Sequence, residues 1–146
     1  MEPLIKIDAK ESDYLHTKIS LIKNSGLGLF TAINIYKDEI ISYFKGEILS
    51  QKEANLRASK GNDAYFINMI DGTVMDSMFT VCFAKYANDA NGLHKSKWKV
   101  NSNICLDENA QVCIAASKNI RAGQEIFCSY GKKYWLNYRK MLHLRM

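Results

Sequence analysis

The sequence predicts a mostly β protein with a few short helices, and three observations support this fold class. Short runs rich in β-branched and aromatic residues recur along the chain, each bounded by Gly, Asn or Asp, as is typical of strands. Asp71-Gly72 and Gly123 stand between such runs, at positions where the chain can reverse. Strands do not alternate with long helical patterns, which disfavours a doubly wound parallel sheet.

The first half of the chain supplies three predicted strands and one helix. The strands cover residues 15–22, 29–32 and 40–44. Two glycines separate the first two strands, and a plain hairpin is the simplest interpretation of that pair. Ser50-Gln-Lys-Glu53 has the form of a capping box and predicts a helix through residue 59, which Gly61-Asn62 ends.

The next part of the chain continues the pattern of short strands. Residues 65–70 and 73–75 flank Asp71-Gly72, a strong two-residue hairpin signal. Residues 77–88 are predicted to be helical or irregular, and a polar loop is predicted over residues 91–102.

The last third is predicted to hold three strands and a helix. Residues 103–106 and 111–116 pair across a turn. Gly123 tolerates φ > 0 at little cost and allows the reversal before a last strand, which ends near Tyr130. Residues 134–144 are predicted to form a short amphipathic helix.

The composition fits one domain, residues 1–146, in a soluble intracellular protein. Apolar residues make up 47% of the chain, enough for one core. No apolar stretch approaches the roughly 20 residues of a membrane-spanning helix, and the N-terminus lacks the apolar segment of a signal peptide. The net charge of +5 is compatible with nucleic acid or an acidic partner but identifies neither, and a solvated basic face is the simpler interpretation.

The four cysteines indicate neither a metal site nor a disulfide framework. Cys82, Cys105, Cys113 and Cys128 are widely separated and show no C-x-x-C or C-x-C spacing. Each lies in an apolar run, where a free cysteine behaves as a small hydrophobic residue. We therefore expect reduced, structural thiols and no bound metal.

Four segments, each a weak signal alone, occur in an order that is much more informative than any one of them. In the last of them, Tyr130 falls where a strand ends and the backbone bends, a usual position for a functional side chain on a rigid scaffold. The segments are Ser25-Gly-Leu-Gly-Leu-Phe30, Phe44-Lys-Gly-Glu47, Lys85-Tyr-Ala-Asn-Asp-Ala90 and Gly123-Gln-Glu-Ile-Phe-Cys-Ser-Tyr-Gly131.

With these segments in this order, the chain resembles the SET-domain family of protein lysine methyltransferases over nearly its whole length. The resemblance implies small β-sheets around a pseudoknot, in which the Tyr130 segment threads under an earlier loop, although chain connections rarely thread. It also implies that the segments of Asn88 and Tyr130 lie side by side. S-adenosylmethionine is then expected on one face and the substrate lysine on the opposite face, with a narrow channel between them.

The implied reaction explains why such residues are needed. In-line methyl transfer requires a neutral amine, and neutralising a lysine of pKa about 10.4 at pH 7 costs roughly 4–5 kcal/mol. An apolar channel lowers this cost because it disfavours the charged form. By resemblance Tyr130 is the catalytic residue, whose hydroxyl aims the amine at the methyl carbon together with nearby backbone carbonyls. The alternative is that Tyr130 is a core residue with a satisfied hydroxyl.

The resemblance also assigns residues to the cofactor, S-adenosylmethionine. The backbone of residues 26–28 and the side chain of Asn88 would contact its methionine moiety, and the backbone of Asp89 its adenine. Tyr65 either borders the cofactor or is a plain strand aromatic, and Trp135 either stacks on the adenine or anchors the last helix. The implied cofactor-binding residues are Gly26, Leu27, Gly28, Tyr65, Lys85, Asn88, Asp89, Tyr130 and Trp135.

The implied channel for the substrate lysine contains Tyr43, Phe44, Cys128 and Tyr130 and departs from the family pattern twice. Phe44 stands where the family often has tyrosine, while Tyr43 is one residue out of step. Because neighbouring strand residues face opposite sides, either a bulge restores Tyr43 or the channel has one fewer hydroxyl. Cys128 stands where a Phe/Tyr choice limits the degree of methylation, and its small size predicts di- or trimethylation.

Two further departures concern the cofactor residues. Asp89 replaces a histidine, and Lys85 stands where arginine is common, which removes bidentate geometry. Together with Phe44, they motivate the alternative of a catalytically inactive SET-like peptide-binding module. The leading hypothesis is an active enzyme that methylates a histone tail, in the nucleus, and a non-histone protein is the alternative substrate. We expect no zinc-binding segment on either side of the domain, so that the last helix closes the channel.

Overall fold

The computed structural model describes residues 3–90 and 97–129. Eleven short strands and two helices are found in this part of the chain, which confirms the mostly β class. A 3-10 turn, Ala84–Tyr86, falls in the segment predicted to be helical or irregular. The elements are β1 (Ile5–Lys6), α1 (Glu11–Tyr14), β2 (Leu15–Ile19), β3 (Leu27–Thr31), β4 (Glu39–Tyr43), β5 (Glu47–Leu49), α2 (Gln51–Ser59), β6 (Phe66–Asn68), β7 (Val74–Asp76), β8 (Asn88–Asp89), β9 (Ser102–Leu106), β10 (Val112–Ala116) and β11 (Glu125–Ser129).

The larger sheet has the strand order β1-β4-β10-β9-β11-β3-β2, and β8 joins it on β11. Strand β11 pairs with β3 through Glu125 and Ile126 and with β8 through Phe127 and Cys128. The pairing of β11 with β8 and with β9 is parallel. Strand β11 therefore brings the segment after the paired glycines and the segment of Asn88 to one place, as the SET-like fold requires.

Strands β10 and β11, which flank the reversal at Gly123, do not form a hairpin with each other. The chain does reverse at Gly123, whose φ is +89°. However, β10 pairs with β4 and β9, while β11 lies on the other side of β9. A glycine at a reversal shows where the chain turns but not which strands pair afterwards, because non-local contacts decide the pairing.

The smaller sheet, in the order β5-β7-β6, confirms the hairpin around Asp71-Gly72. Its connection is longer than the predicted two residues, because Asn68 pairs with Val74 and leaves five residues between them. Gly72 has φ +88°, and the Asp71 Oδ1 accepts a hydrogen bond of 2.9 Å from the Thr73 amide. The side chain of Asp71 thus closes the turn locally.

Helix α2 has the predicted ends. The Ser50 Oγ accepts from the Glu53 amide at 3.2 Å, and the Glu53 carboxyl accepts from the Ser50 amide at 3.3 Å, which completes the capping box. At the other end Gly61, with φ +77°, donates to the Ala58 carbonyl at 3.0 Å. Arg57 then joins the helix to the smaller sheet through ion pairs to Glu47 and to the fully buried Asp76.

The main core lies on the larger sheet and combines side chains of its strands with those of α1, of the 3-10 turn and of β6. The sequence predicted the central strands of this sheet but not β1, α1, β5 and β8, which are too short for a periodic pattern. Each fully buried Leu or Ile contributes about 1.5–3 kcal/mol relative to exposure. The fully buried aliphatic residues include Leu29, Ile35, Ile41, Ile114, Ile120 and Ile126.

In the described part of the chain, we find no helix with the length and apolar character needed to cross a membrane.

Candidate functional site

A small cavity of about 160 Å³ collects residues from two of the four segments, and we call it the site pocket. It lies where β8 meets the larger sheet, next to the hairpin of the smaller sheet. Five of its residues were assigned to the cofactor or the substrate channel from sequence. Its lining residues are Phe44, Ala64, Tyr65, Phe66, Ile67, Lys85, Ala87, Asn88 and Asp89.

The described residues of the first and fourth segments do not line the site pocket, but both segments contact Asn88 or its strand β8. The Asn88 Nδ2 donates a hydrogen bond of 3.1 Å to the Leu27 carbonyl, across 61 residues of sequence. In β8, Asn88 and Asp89 are the partners of Phe127 and Cys128. All four segments therefore converge here through residues that the structure describes.

Gly26 and Gly28 are required for two different physical reasons. Gly26 has φ +66° and open space around its Cα, so it is needed for the backbone conformation of the turn. Gly28 lies in β3, where an added Cβ would come within 2.2 Å of the Glu125 Oε2. Leu27, between them, is 46% exposed and turns its carbonyl toward Asn88.

Lys85 lines the site pocket, but its ammonium group is held by the loop that precedes it. The Nζ donates to the carbonyls of Ser77 at 3.0 Å, Met78 at 3.3 Å and Thr80 at 3.2 Å. It also lies 5.2 Å from the Tyr65 ring centroid. The three donors of the ammonium group are thus matched by three converging carbonyls.

Tyr65 borders the site pocket and packs edge to face with Tyr86, with 6.5 Å between the ring centroids. The prediction of a plain strand aromatic is wrong, because Tyr65 lies in a turn directly before β6. Its contact with the cofactor stays a prediction. The ring serves as a packing partner and also forms part of the pocket wall.

Phe44 and Tyr43 face opposite sides of the sheet. Phe44 is buried and lines the site pocket, whereas Tyr43 lines a separate cleft of about 440 Å³. The Tyr43 hydroxyl donates a hydrogen bond of 3.0 Å to Asp107. The irregularity between β4 and β10 leaves Ile41 as the extra residue and does not turn Tyr43 around. In the structure the Tyr43 side chain therefore does not line the site pocket, whereas Phe44 does. Burial, and then the bond to Asp107, raises the pKa of Tyr43 to about 12.

Cys128 does not line the site pocket, but it contacts Ala87, which does. It is 1% exposed, and its Sγ donates to the Ala87 carbonyl at 3.4 Å. Burial, followed by the charge of Asp89, raises the pKa of Cys128 to about 12. The thiol is therefore neutral at physiological pH and is not an activated nucleophile.

Two buried polar residues beside the site pocket, on and next to β11, were missed by the sequence analysis and line a different cavity. Glu125 is buried and accepts hydrogen bonds from Ser20 and Leu21, next to the paired glycines. Asn101 donates its side-chain amide to the Glu125 carbonyl at 3.0 Å and accepts from the Phe127 amide at 2.9 Å. The available signal was an acidic residue at the start of the apolar run Ile126-Phe-Cys128.

Several sequence predictions lie wholly or partly outside the described residues. They are the roles of Tyr130 and the threading of its segment, the adenine contact of Trp135, the helix over residues 134–144 and the first half of the polar loop over residues 91–102. For metal binding, residues 3–90 and 97–129 contain no group of three or more His, Cys, Asp or Glu side chains placed to hold an ion.

Comparison with known proteins agrees with this arrangement. The family model described as SET domain matches residues 26–131, which contain the four segments almost completely. The chain is also 30% identical over 112 residues to the Zea mays protein named Histone-lysine N-methyltransferase EZ1. That match covers 73% of this chain and 11% of the maize protein, so the chain spans a small part of its relative. On the convergence of the four segments and on these matches, the chain belongs to the SET-domain family of lysine methyltransferases.

Proposed function

We propose that this protein is an S-adenosylmethionine-dependent protein-lysine N-methyltransferase. The observation that carries the proposal is the hydrogen bond from Asn88 to the Leu27 carbonyl, beside the pairing of Asn88 with Phe127. It joins the glycine turn, the Asn88 segment and β11, which are the segments to which the resemblance assigns the cofactor and the catalytic tyrosine.

The polar groups at this junction suit one end of the cofactor. A methionine moiety carries an ammonium and a carboxylate, and the Leu27 carbonyl and the Asn88 carboxamide provide acceptors and donors for such groups. The site pocket has a volume of about 160 Å³. Because ligand pockets typically measure about 300–1,000 Å³, we expect it to admit a lysine side chain or one end of the cofactor.

The residues of the chain have two tasks in the proposed reaction. When bound, S-adenosylmethionine supplies a sulfonium methyl group that a neutral amine can attack in line. The buried Phe44 gives the site pocket one apolar wall, and contact with this ring is proposed to favour the neutral amine, while Asp89 and Lys85 add charged groups elsewhere in the same lining. Tyr130, which follows Ser129 at the end of β11, is proposed to orient the amine through its hydroxyl.

Cys128 is proposed to permit di- or trimethylation. Its side chain is small, lacks the hydroxyl of a tyrosine and is directed at the Ala87 carbonyl next to the site pocket. A nitrogen that already carries a methyl group can then rotate without meeting a bulky ring. Mass spectra of a good substrate should show di- or trimethyl lysine, and a product that stays monomethylated after long incubation would contradict this proposal.

A histone tail is the proposed substrate, because the maize relative is named a histone-lysine N-methyltransferase. A nuclear location follows if this is right. The second candidate substrate is a non-histone protein. Core histones and a nuclear extract without histones, each incubated with labelled cofactor, separate the two classes by the protein that acquires the label.

The test of the mechanism is methyl transfer by the wild type, Tyr130→Phe and the matched control Tyr36→Phe. Tyr36 is 57% exposed, so the loss of its hydroxyl should leave transfer unchanged. Tyr130→Phe should reduce transfer at least about tenfold, equivalent to about 1.4 kcal/mol of barrier. Equal transfer by Tyr130→Phe and wild type would contradict the role of Tyr130. Absence of both transfer and calorimetric cofactor binding in the wild type would favour the inactive binding module.

A further inference from the structure

Glu125 is a buried acid at a position where the family resemblance assigned no function. It is 2% exposed, and both of its carboxyl oxygens are used within the protein. Oε2 accepts a hydrogen bond of 2.6 Å from the Ser20 Oγ, and Oε1 accepts one of 2.7 Å from the Leu21 amide. Both donors lie about 105 residues earlier in the chain, at the end of β2. The carboxyl group therefore bridges β11 and the loop that leads to the paired glycines.

The segment of residues 20–28, a loop together with the first two residues of β3, is closed around this carboxyl group, and we call it the glycine loop. The Ser20 amide donates to the Gly26 carbonyl at 2.8 Å, and the Ser20 Oγ accepts from the Ile22 amide at 3.0 Å. On the opposite side, a Cβ on Gly28 would lie 2.2 Å from the Glu125 Oε2. The backbone at Gly28 thus rests directly on the carboxyl group, and no larger residue fits there while Glu125 stays in place.

The strand that carries Glu125 is itself fixed by Asn101. The Asn101 side chain bonds the Glu125 carbonyl at 3.0 Å and the Phe127 amide at 2.9 Å, as a neighbouring strand would. Two residues after Glu125, β11 pairs with Asn88. The same strand therefore fixes both partners of the hydrogen bond between Asn88 and Leu27.

We propose that Glu125 is a positioning residue that holds the glycine loop against β11 and so sets the Leu27 carbonyl at hydrogen-bonding distance from Asn88. Its effect on methyl transfer rests on the proposed function, whereas its effect on the glycine loop does not. Gly28 is glycine because Glu125 occupies the space above it. Gly26 is glycine because of its positive φ.

Hydrogen exchange without cofactor tests the loop directly. In Glu125→Ala, the Leu21 and Ile22 amides should exchange about threefold to tenfold faster, as expected for hydrogen bonds worth about 0.5–1.5 kcal/mol. Glu125→Gln should stay close to the wild type, because its oxygen can accept from Leu21 while its amide donates to the Ser20 Oγ. Ser20→Ala removes one donor with little change in volume and keeps the test valid if Glu125→Ala fails to fold. The exposed Glu108, replaced in Glu108→Ala, is the matched control.

A double-mutant cycle tests the contact with Gly28. Gly28→Ala should destabilise the wild type but should destabilise Glu125→Ala much less, because the atoms that collide with the new Cβ are gone. Additive effects in the cycle, or unchanged exchange at Leu21 in both Glu125→Ala and Ser20→Ala, would overturn the proposal. If Glu125→Ala does not fold, the cycle is measured with Glu125→Ser.

Binding measurements connect the loop to the cofactor. In Ser20→Ala, the calorimetric Kd for S-adenosylmethionine should rise about threefold to tenfold, while the KM for the substrate peptide stays constant. A change in the peptide KM alone would overturn the assignment to the cofactor side. If the wild type neither binds cofactor nor transfers methyl groups but the exchange and cycle results hold, the proposed function fails and the role of Glu125 in the loop stands.

Discussion

At the scale of single residues, Lys85 connects the site pocket to the loop that precedes it. Its ammonium group donates to three backbone carbonyls of residues 77–80 and lies near the rings of Tyr65 and Tyr86. The ammonium group therefore holds this loop against the wall of the site pocket through three carbonyl acceptors.

Lys85→Met should therefore destabilise the protein by about 1.5–3 kcal/mol, the usual contribution of a hydrogen bond to a charged group. The methionine keeps the length of the apolar stem, so the loss reports the carbonyl contacts. Urea unfolding measures this difference, with Lys52→Met on the exposed face of α2 as the control. Equal destabilisation by the two variants would show that the three carbonyl contacts contribute nothing.

The raised pKa of Tyr43 predicts how the stability of the protein depends on pH. Its pKa is raised to about 12 by burial and by Asp107, so the folded state holds the phenol proton more tightly than the unfolded state. This contribution to stability is complete below the unfolded pKa of about 10 and is lost as the pH rises toward about 12. The free energy of unfolding of the wild type should thus fall more steeply above about pH 10 than that of Tyr43→Phe.

The measurement for Tyr43 is urea unfolding at a series of pH values from about 8 to about 12, which covers the interval above about pH 10 where the linkage is expected. The exposed Tyr36→Phe serves as the control and should keep the slope of the wild type. Parallel curves for the wild type and Tyr43→Phe would refute the prediction.

At the scale of elements, the capping box of α2 was predicted from four residues and is confirmed by both of its hydrogen bonds. Helix α2 has a single buried residue, Ala54, so its ends and the ion pairs of Arg57 matter more than its packing. Ser50→Ala should destabilise the protein by about 0.5–2 kcal/mol, the usual cost of a lost N-cap.

Thermal unfolding of Ser50→Ala measures this cost, with Ser12→Ala, at an exposed position of α1, as the control. Ser50→Asp, another good N-cap residue, should restore most of the stability. Failure of that rescue would mean that Ser50 contributes through something other than the cap.

At the scale of the whole molecule, β11 is the strand on which the site depends. It pairs with β3, β8 and β9 and carries Glu125 at one end and Cys128 near the other. The segments that meet there lie between 24 and 105 residues apart in the sequence. No local signal can specify such contacts, since they depend on the complete fold.

The distance in sequence between the contacting residues also explains which features were predicted from the sequence and which were missed. The glycine turns, the capping box and the hairpins were found because each depends on neighbours within a few residues. The two-residue strand β8, the position of β10 relative to β11 and the direction of Tyr43 were not found or stayed open. Each of these depends on pairing between distant segments, for which the sequence offers no short pattern.

The sequence by itself determined the class of fold, the turns, the cap of α2 and the four segments that identify the family. Only the tertiary structure decided that Phe44 rather than Tyr43 lines the site pocket, that Lys85 holds a loop, and that Glu125 supports Gly28. Local propensity fixes where a chain bends, because the backbone angles of one residue are involved. Which side chains then share a pocket depends on strand register and parallel pairing, which form only when the whole core packs.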